Sequence, residues 1–283
     1  MTSISVIVLC GQSPRHLYFA NQVCKVCNTK AIIHESGTVA PFKKALNLLT
    51  NQKKLWRKVF RWSRDRKRYT GNKEAIFFFS HQPSQLDQPN LRLEVPHINH
   101  PDVIKVIDKH NPDLILVFGT SLLKGNLLKK GRLGIINLHG GLSPEYRGAD
   151  CTFWALHNQE PEKVGCTFHY INEGIDTGNM IAHVSPEIKE TDDELTLFWR
   201  GIHDSTATVA ELLSRLEQGE ALGVPQTHKG SLYQVKDRSL QDEKKLEALL
   251  RNGLLKNLNL GKRVTWFHPE NEYPALKQNK LTP

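Results

Sequence analysis

The chain has 283 residues, of which 39% are hydrophobic and 24% are charged, and its formal net charge is +9. This composition suits a globular protein with one well-buried domain of about 200 residues and an appendage. No apolar run approaches the roughly 18 residues that span a bilayer, so no transmembrane helix is predicted. The first eleven residues have neither the charged leader nor the cleavage site of a signal peptide. We therefore expect a cytoplasmic protein without a membrane partner.

The N-terminal residues predict a strand, a helix and a second strand. Residues 5–9 (SVIVL) form a continuous apolar run of the kind found in buried parallel strands. Residues 14–27 have the apolar spacing of a helix, and residues 30–34 (KAIIH) form the next short apolar run. A strand, helix and strand within about 30 residues make a right-handed crossover, which builds parallel sheets.

Two of the five cysteines, Cys24 and Cys27, form a CxxC pair. No second cysteine pair or histidine pair follows at zinc spacing, and five cysteines do not make a disulfide framework. The pair falls on the predicted helix, where such spacing is normal for buried or half-buried residues. We expect ordinary thiols and no metal, with a redox or metal role as the alternative.

The next segment carries the positive charge. Residues 43–73 contain twelve basic residues and one acid, which leaves the rest of the chain at −2. Tryptophan, phenylalanine and leucine lie among the cations, which predicts one or two amphipathic helices in a basic insertion at residues 42–73. The cations are expected to form a solvated face; alternatives are that they bind RNA phosphates, with the aromatic rings stacking on bases, or a diphosphate.

Strands and helices continue to alternate along the rest of the chain. Further strands are predicted at residues 75–79, 113–119, 134–138, 165–171 and 179–183. Further helices are predicted at residues 102–110, 152–157, 192–216 and 240–258. The pattern indicates an α/β fold with a doubly wound, mostly parallel sheet. We assign residues 1–220 to the main domain and residues 221–283 to a small C-terminal extension.

Three loops are expected to bind ligands, because open α/β sheets bind ligands beyond the carboxyl ends of their strands. They follow the first, fourth and fifth parallel strands and occupy residues 11–13, 119–121 and 137–148. Asn137 and His139 are two residues apart in an extended segment, so their side chains point the same way. Gly140 and Gly141 then allow a tight turn and a close approach of the backbone to a ligand.

A carboxylate is predicted to join this pair from far along the chain. Residues 174–178 (GIDTG) place Asp176 in a tight turn between two glycines. A carboxylate close to an imidazole raises its basicity, and an amide can stabilise an oxyanion, which is what acyl transfer to an amine requires. No GxSxG nucleophile elbow is present, so direct transfer without an acyl-enzyme is the simpler mechanism. Taken singly, each of these residues could instead be structural.

The stretch INLHGGLSPEYRGADCTFWAL (residues 136–156), followed by VGCTFHYINEGIDTGNMI (residues 164–181), resembles the folate-dependent formyltransferase family. Residues 111–123 (NPDLILVFGTSLL) are similar to the family strand and loop beside the folate pocket. Three departures are Gly141, where the family usually has serine, Ser143, where it has leucine, and Asp150, where proline or a small residue is frequent. The resemblance implies a Rossmann-like formyltransferase fold for the catalytic domain.

The resemblance also implies roles for individual residues. The catalytic trio would be Asn137, His139 and Asp176. The co-substrate would be 10-formyltetrahydrofolate, and the residues expected to bind it are Gly119, Thr120, Ser121, Leu122, Leu123, Gly174 and Ile175. The residues expected to bind the acceptor are Gly11, Gln12, Ser13, Gly140, Gly141, Tyr146, Arg147 and His169.

The acceptor amine is less clearly indicated. Only 46 residues follow Asp237, too few for a comfortable five-stranded oligonucleotide-binding barrel of the kind that the methionyl-tRNA enzymes carry. This favours a small acceptor, and the first choice is an amino sugar on a nucleotide. The alternatives are a methionyl-tRNA formyltransferase-like enzyme, a non-catalytic nucleic-acid-binding protein on the same scaffold, and a formyl-folate hydrolase. A homodimer is compatible with the sequence, which leaves the oligomeric state open.

Overall fold

The computed structural model describes residues 2–37, 52–68 and 70–269. Residues 42–51 and 69 of the predicted insertion, and residues 270–283 of the predicted extension, lie outside the described residues. Eight strands of the described part form one sheet in the order β10-β8-β7-β5-β4-β1-β2-β3. They are β1 (Ser5–Cys10), β2 (Asn28–Glu35), β3 (Arg92–Val95), β4 (Leu114–Phe118), β5 (Ile135–His139), β7 (Cys166–Tyr170), β8 (Met180–Ser185) and β10 (Arg263–Trp266).

The sheet has a parallel half and an antiparallel half. β3, β2, β1, β4 and β5 pair in parallel. β7, β8 and β10 then extend the sheet from β5 by antiparallel pairing. The inner parallel strands are buried on both faces, as in β4, where all five residues are buried, whereas β3 at the edge is largely exposed. This explains why their sequences are continuous apolar runs instead of alternating patterns.

Helices cover both faces of the sheet. α1 (Pro14–Val26) and α6 (Glu194–Glu217) pack on one face, and α4 (Pro101–His110) packs on the other. Local sequence explains where they begin: Asp193 accepts a hydrogen bond from Thr196 N–H at the start of α6, and proline is the first residue of α1 and of α4. The remaining helices are α2 (Gln52–Arg68), α3 (Lys73–Phe79), α5 (Cys151–His157) and α7 (Leu240–Arg251).

The prediction of a strand at residues 75–79 is wrong, because AIFFF belongs to helix α3. Its Phe78 ring lies 5.2 Å from Tyr18 of α1, and its Phe77 ring lies 5.7 Å from Trp199 of α6. A run of five apolar residues fits a buried strand or one helical turn equally well, and packing against two helices selects the helix here. The strand at this edge of the sheet is β3 instead. The predicted helix at residues 240–258 also ends early, at Arg251, before Gly253 with its φ of +89°.

The C-terminal segment builds onto the main body. β10 pairs with β8 in the large sheet, and β9 (Ser231–Tyr233) pairs in parallel with β6 (Tyr146–Gly148). α7 contributes the buried Leu246 to the cluster formed by α5. The boundary near residue 220 stays a prediction. Among the described helices, none combines the length and the apolar character that crossing a membrane requires.

Candidate active site

A cleft opens beyond the carboxyl ends of β4 and β5. Its main cavity has a volume of about 400 Å³, and a narrower recess of about 90 Å³ adjoins it. Asn137 and Asp176 line both spaces, and His139 lines the main cavity. The recess lies between residues 120–123 and residues 171–174. The cleft is therefore where the doubly wound sheet was expected to bind its ligand.

The three predicted catalytic side chains converge in this cleft. His139 Nδ1 lies 3.4 Å from Asp176 Oδ2. The other ring nitrogen, Nε2, lies 3.0 Å from the carbonyl oxygen of Tyr146. Both nitrogens of His139 therefore face oxygen acceptors, so the ring can take a second proton without leaving a buried N–H unpaired.

His169 fixes the orientation of the Asn137 amide. Its Nδ1 lies 2.8 Å from the carbonyl oxygen of Tyr170, which requires an N–H at that nitrogen. In the neutral ring, Nε2 is then an acceptor, and Asn137 Nδ2 lies 3.1 Å from it. This contact tells the amino group of Asn137 from its carbonyl oxygen, and the second N–H of that amino group can donate to a ligand. β5 and β7 place the two residues directly opposite each other in the antiparallel ladder.

Electrostatics keep Asp176 charged and His139 neutral. Burial by itself raises the pKa of Asp176, but His139, His169 and the Gly148 N–H outweigh burial and hold the pKa well below its usual value. Burial lowers the pKa of His139, and Asp176 opposes that effect only in part. The cleft therefore pairs a carboxylate with a neutral imidazole that can accept a proton.

The backbone around Asp176 aims its carboxylate. The residue has a φ of +50°, a left-handed conformation that aspartate tolerates better than most side chains. Oδ2 accepts a hydrogen bond of 2.9 Å from the N–H of Gly148, which lies after the loop that follows β5. Oδ1 faces Nε2 of His169 at 3.5 Å. The Gly148 N–H therefore fixes the position of Oδ2, and both carboxylate oxygens lie beside imidazole rings.

The loop after β4 forms one wall of the recess and is braced from outside the cleft. Glu35, at the end of β2, accepts hydrogen bonds of 2.6 Å from both the N–H and the hydroxyl of Ser121. Asn99 donates to the carbonyl oxygen of Leu122 at 2.8 Å and accepts from Lys124 N–H at 2.8 Å. Neither bracing residue was predicted from the sequence, although an acid at the end of a predicted parallel strand was a usable signal for Glu35.

A buried arginine supports the opposite wall. Asp150 and Glu194 line the main cavity, and Arg238 pairs with both, at 3.4 Å and 2.9 Å. Its side chain is only 1% exposed, and it also contacts Glu243 of α7 at 2.6 Å. The guanidinium lies 3.7 Å from the ring centre of Phe153. The C-terminal segment thus helps to shape the cleft, which no local sequence pattern indicates.

The remaining predicted residues divide into two groups. Those that line the cavity or the recess are Gly119, Thr120, Ser121, Leu122, Leu123, Gly140, His169, Gly174 and Ile175. Those that do not line either space are Gly11, Gln12, Ser13, Gly141, Tyr146 and Arg147.

Structural roles explain the second group. Ser13 precedes α1, and a Cβ on Gly11 would lie 2.6 Å from the ring of His16. The buried Arg147 donates to the carbonyl oxygen of Gly230 at 3.0 Å. Tyr146 bonds Glu160 through its hydroxyl.

Gln12 and Gly141 complete that group. Gln12 lines a separate cavity with His34. A Cβ on Gly141 would lie 2.6 Å from Cys151 and from the Tyr146 carbonyl oxygen.

The cysteines lie in the interior. All five are free and buried, including the CxxC pair of Cys24 and Cys27. Cys151 lines the cavity with its Sγ 3.5 Å from His139 Nε2, and burial raises the pKa of its thiol. The position of Cys151 at the site was not predicted from the sequence. Within residues 2–37, 52–68 and 70–269, no group of three or more His, Cys, Asp or Glu side chains is arranged to hold a metal.

Comparison with known proteins identifies the family. A family model described as "Formyl transferase" matches residues 44–212, which is more than half of the chain. The chain belongs to the formyl transferase family. Formyl transferases are enzymes that transfer formyl groups. The family and the doubly wound α/β fold were both predicted from the sequence, and both are confirmed.

Relatives in the formyl transferase family differ in what their names say they act on. The chain is 30% identical over 151 residues to a GDP-perosamine N-formyltransferase of Brucella abortus, a match that covers 53% of this chain and 58% of that protein. It is 38% identical over 129 residues to a methionyl-tRNA formyltransferase of Geobacter metallireducens, which covers 45% and 41%. The chain thus spans about half the length of the curated relatives that it matches.

Solved structures show the same fold. A sugar N-formyltransferase from a Shewanella species superposes with a TM-score of 0.55 at 16% identity, over 94% of this chain and 96% of that chain. A glycinamide ribonucleotide transformylase from Symbiobacterium toebii gives a TM-score of 0.51 at 17% identity, over 82% and 95%.

Proposed function

We propose that this formyl transferase moves a formyl group from 10-formyltetrahydrofolate to the amine of an amino sugar carried on a nucleotide. The observation that carries the proposal is the convergence of Asn137, His139 and Asp176 at one cleft, with 3.4 Å between the imidazole and the carboxylate. An amide donor, a neutral base and a fixed carboxylate supply what direct acyl transfer to an amine needs.

Asn137 stabilises the oxyanion in this scheme. The amine nitrogen attacks the formyl carbon, and the formyl oxygen gains negative charge as the tetrahedral intermediate forms. One N–H of Asn137 is committed to His169, so the second N–H can donate to that oxygen. Because His169 holds the amide from behind, the donor is oriented before the reaction starts, which avoids a reorganisation cost.

His139 and Asp176 move the proton. The attacking amine loses a proton as its bond to the formyl carbon forms, and neutral His139 accepts it. Asp176 stabilises the imidazolium through Nδ1, since its own low pKa keeps it ionised. His139 then returns the proton to the folate nitrogen as its bond to the formyl carbon breaks. The products are the formamide and tetrahydrofolate, so no proton is gained or lost overall.

The two halves of the cleft suit two different ligands. The narrow recess lies beside residues 120–123, a loop braced by Glu35, and its shape suits a flat heterocycle. The wider cavity carries Asp150 and Glu194, whose carboxylates can accept hydrogen bonds from sugar hydroxyls. Support for an amino sugar acceptor also comes from the GDP-perosamine N-formyltransferase relative.

The test is a formyl-transfer assay with a panel of acceptors. The protein is incubated with 10-formyltetrahydrofolate and, in turn, nucleotide-linked amino sugars, glycinamide ribonucleotide and methionyl-tRNA, and tetrahydrofolate release is followed. We expect turnover with an amino sugar and a fall of about 10²–10⁴-fold in His139→Gln. His228→Gln is the matched control, since that histidine is exposed and lies outside the cleft.

Three results would contradict the proposal. Release of tetrahydrofolate with methionyl-tRNA and with no other acceptor would favour the methionyl-tRNA alternative. Equal rates in His139→Gln and in the unmodified protein would remove the imidazole from the mechanism. Release that needs no amine at all would instead indicate the hydrolase.

A further inference from the structure

Helix α2 exposes three large apolar side chains to solvent in the described part of the chain. Trp56 is 72% exposed, Trp62 is 60% exposed and Val59 is 47% exposed. Together with the half-buried Leu55, they recur at the three- and four-residue spacing that places side chains on one face of a helix. We call these four residues the outward face of α2. Two exposed tryptophans with a valine between them form an apolar patch, and such a patch indicates a surface that has a partner.

The opposite face of α2 is anchored to the protein. The Arg64 side chain is 9% exposed and lies 3.8 Å from Glu243 of α7. Arg64 also pairs with the neighbouring Asp65 at 2.8 Å, and Phe60 on the same side is half-buried. The helix is therefore seated against the protein on one side, which directs its outward face away from the body.

Helix α2 carries most of the net positive charge of the chain. The sequence of α2 contains nine lysines and arginines and one acid, a net charge of +8, whereas the whole chain carries +9. The rest of the chain is thus close to neutral at 9 − 8 = +1. Lys58 and Arg66 are exposed beside the outward face. A partner for this helix must accept apolar side chains in its interior and present negative charge at its surface.

We propose that the outward face of α2 docks this protein on an anionic lipid surface. A bilayer interface takes both indole rings and aliphatic side chains into the headgroup region, while lysine and arginine meet the phosphates. A short helix with a strongly charged composition and a concentrated apolar face has the features of such interfacial helices. This inference differs from the sequence-based expectation of no membrane partner, and it does not depend on formyl transfer.

RNA fits the same face less well. Valine and leucine have no π-face on which a base can stack, and they occupy half of the outward face. Arg66 already lies over the ring of Trp62 at 5.2 Å, so a base would have to displace it. Single-stranded RNA is also held in grooves lined by cations, whereas the outward face is a convex apolar strip bordered by cations.

Vesicle flotation tests the proposal on the full chain. The protein is mixed with phosphatidylcholine vesicles that contain or lack phosphatidylglycerol, and the bound fraction is measured at low and at moderate salt. We expect binding only when phosphatidylglycerol is present, and weaker binding as salt rises. Transfer RNA is tested in parallel by filter binding at the same salt.

Paired variants separate the two contributions. Trp56→Ser with Trp62→Ser is expected to reduce vesicle binding about 100-fold, because both rings lose their apolar contact. Lys58→Gln with Arg66→Gln is expected to reduce it about 30-fold, at roughly 1 kcal/mol for each cation. Leu240→Ser and Lys105→Gln are the matched controls, since both residues are exposed at sites away from the outward face. The controls should bind as the unmodified protein does.

A second readout needs no variant. In the unmodified protein, lipids brominated on their acyl chains should quench the fluorescence of the two exposed tryptophans. The proposal is overturned if the protein fails to bind anionic vesicles at low salt. It is also overturned if the tryptophan variant binds like its controls, or if tRNA binds while vesicles and brominated lipids have no effect.

Discussion

Replacing Arg238 by methionine removes one guanidinium from the centre of a buried network. Glu194 and Glu243 each receive two hydrogen bonds from it, at 2.6–3.0 Å, and Asp150 lies at 3.4 Å. The methionine side chain has a similar length and can still pack on Phe153, so the main loss is the positive charge. Three carboxylates then lose the guanidinium that lies between them.

The expected cost follows from the burial of that charge. Breaking a buried ion pair by removing one partner typically costs about 3–5 kcal/mol, because the other partner keeps its desolvation penalty. The Arg238 side chain is 1% exposed, so solvent screens these charges little. A loss of about 4 kcal/mol lowers the melting temperature of a domain of this size by about 8 °C. Arg238→Lys keeps the charge but loses the planar fork, and about half of that effect is expected.

Thermal unfolding followed by circular dichroism measures the effect, together with the KM values for acceptor and donor. Asp150 and Glu194 line the wider cavity, which we propose binds the acceptor, so the KM for the acceptor should rise while the KM for the folate changes little. Arg251→Met is the control, since Arg251 is 72% exposed and pairs with Glu247 only at the surface. A melting temperature of Arg238→Met within about 2 °C of this control would refute the argument from buried charge.

The other predictions concern the trio, the braced loop and acid stability. Asp176→Asn keeps the turn but loses the charge that stabilises protonated His139, so kcat should fall about 10²–10⁴-fold, and unchanged kcat would exclude this role. Glu35→Ala removes both hydrogen-bond acceptors of Ser121. It should raise the KM for 10-formyltetrahydrofolate about tenfold and leave kcat nearly unchanged. A parallel loss of kcat would contradict the view that Glu35 only positions the loop. Burial lowers the pKa of His34 to about 4. The unfolded chain therefore binds more protons below pH 6.5, and acid should remove about 3 kcal/mol of stability between pH 6.5 and 4. Urea titrations across this range should show that the free energy of unfolding changes less with pH in His34→Asn than in the unmodified protein. An equal change with pH in both proteins would refute the role of His34.

The parallel half of the sheet was largely predictable because its strands are buried on both faces. β1, β2, β4 and β5 each lie within one or two residues of an apolar run. β3 and β10 lie at the two edges, and their sequences RLEV and RVTW carry exposed residues without a clear apolar face. Periodicity cannot detect strands of this kind, since the sheet selects them by hydrogen bonding.

Convergence of the trio could be anticipated, but its supports could not. Asn137 and His139 lie two apart on one strand, which predicts their common direction from local geometry alone. The contact of His169 with Asn137 depends on the register of β5 against β7, which no local signal specifies. The contact of Arg238 with Glu194 joins residues 44 positions apart through packing of α7 against the body. Ion pairs between residues that are distant in the sequence produce no periodic pattern from which they could be predicted.

The left-handed backbone at Asp176 also restricts which residues can replace Asp176 during evolution. At a φ of +50°, asparagine and glycine fit with little strain, whereas β-branched side chains such as valine or threonine would distort the turn. Variants that keep this turn therefore retain a short polar group or no side chain at all. Inactive descendants of the chain are thus expected to keep their shape while losing the charge, so a preserved fold in a homologue is poor evidence of preserved chemistry.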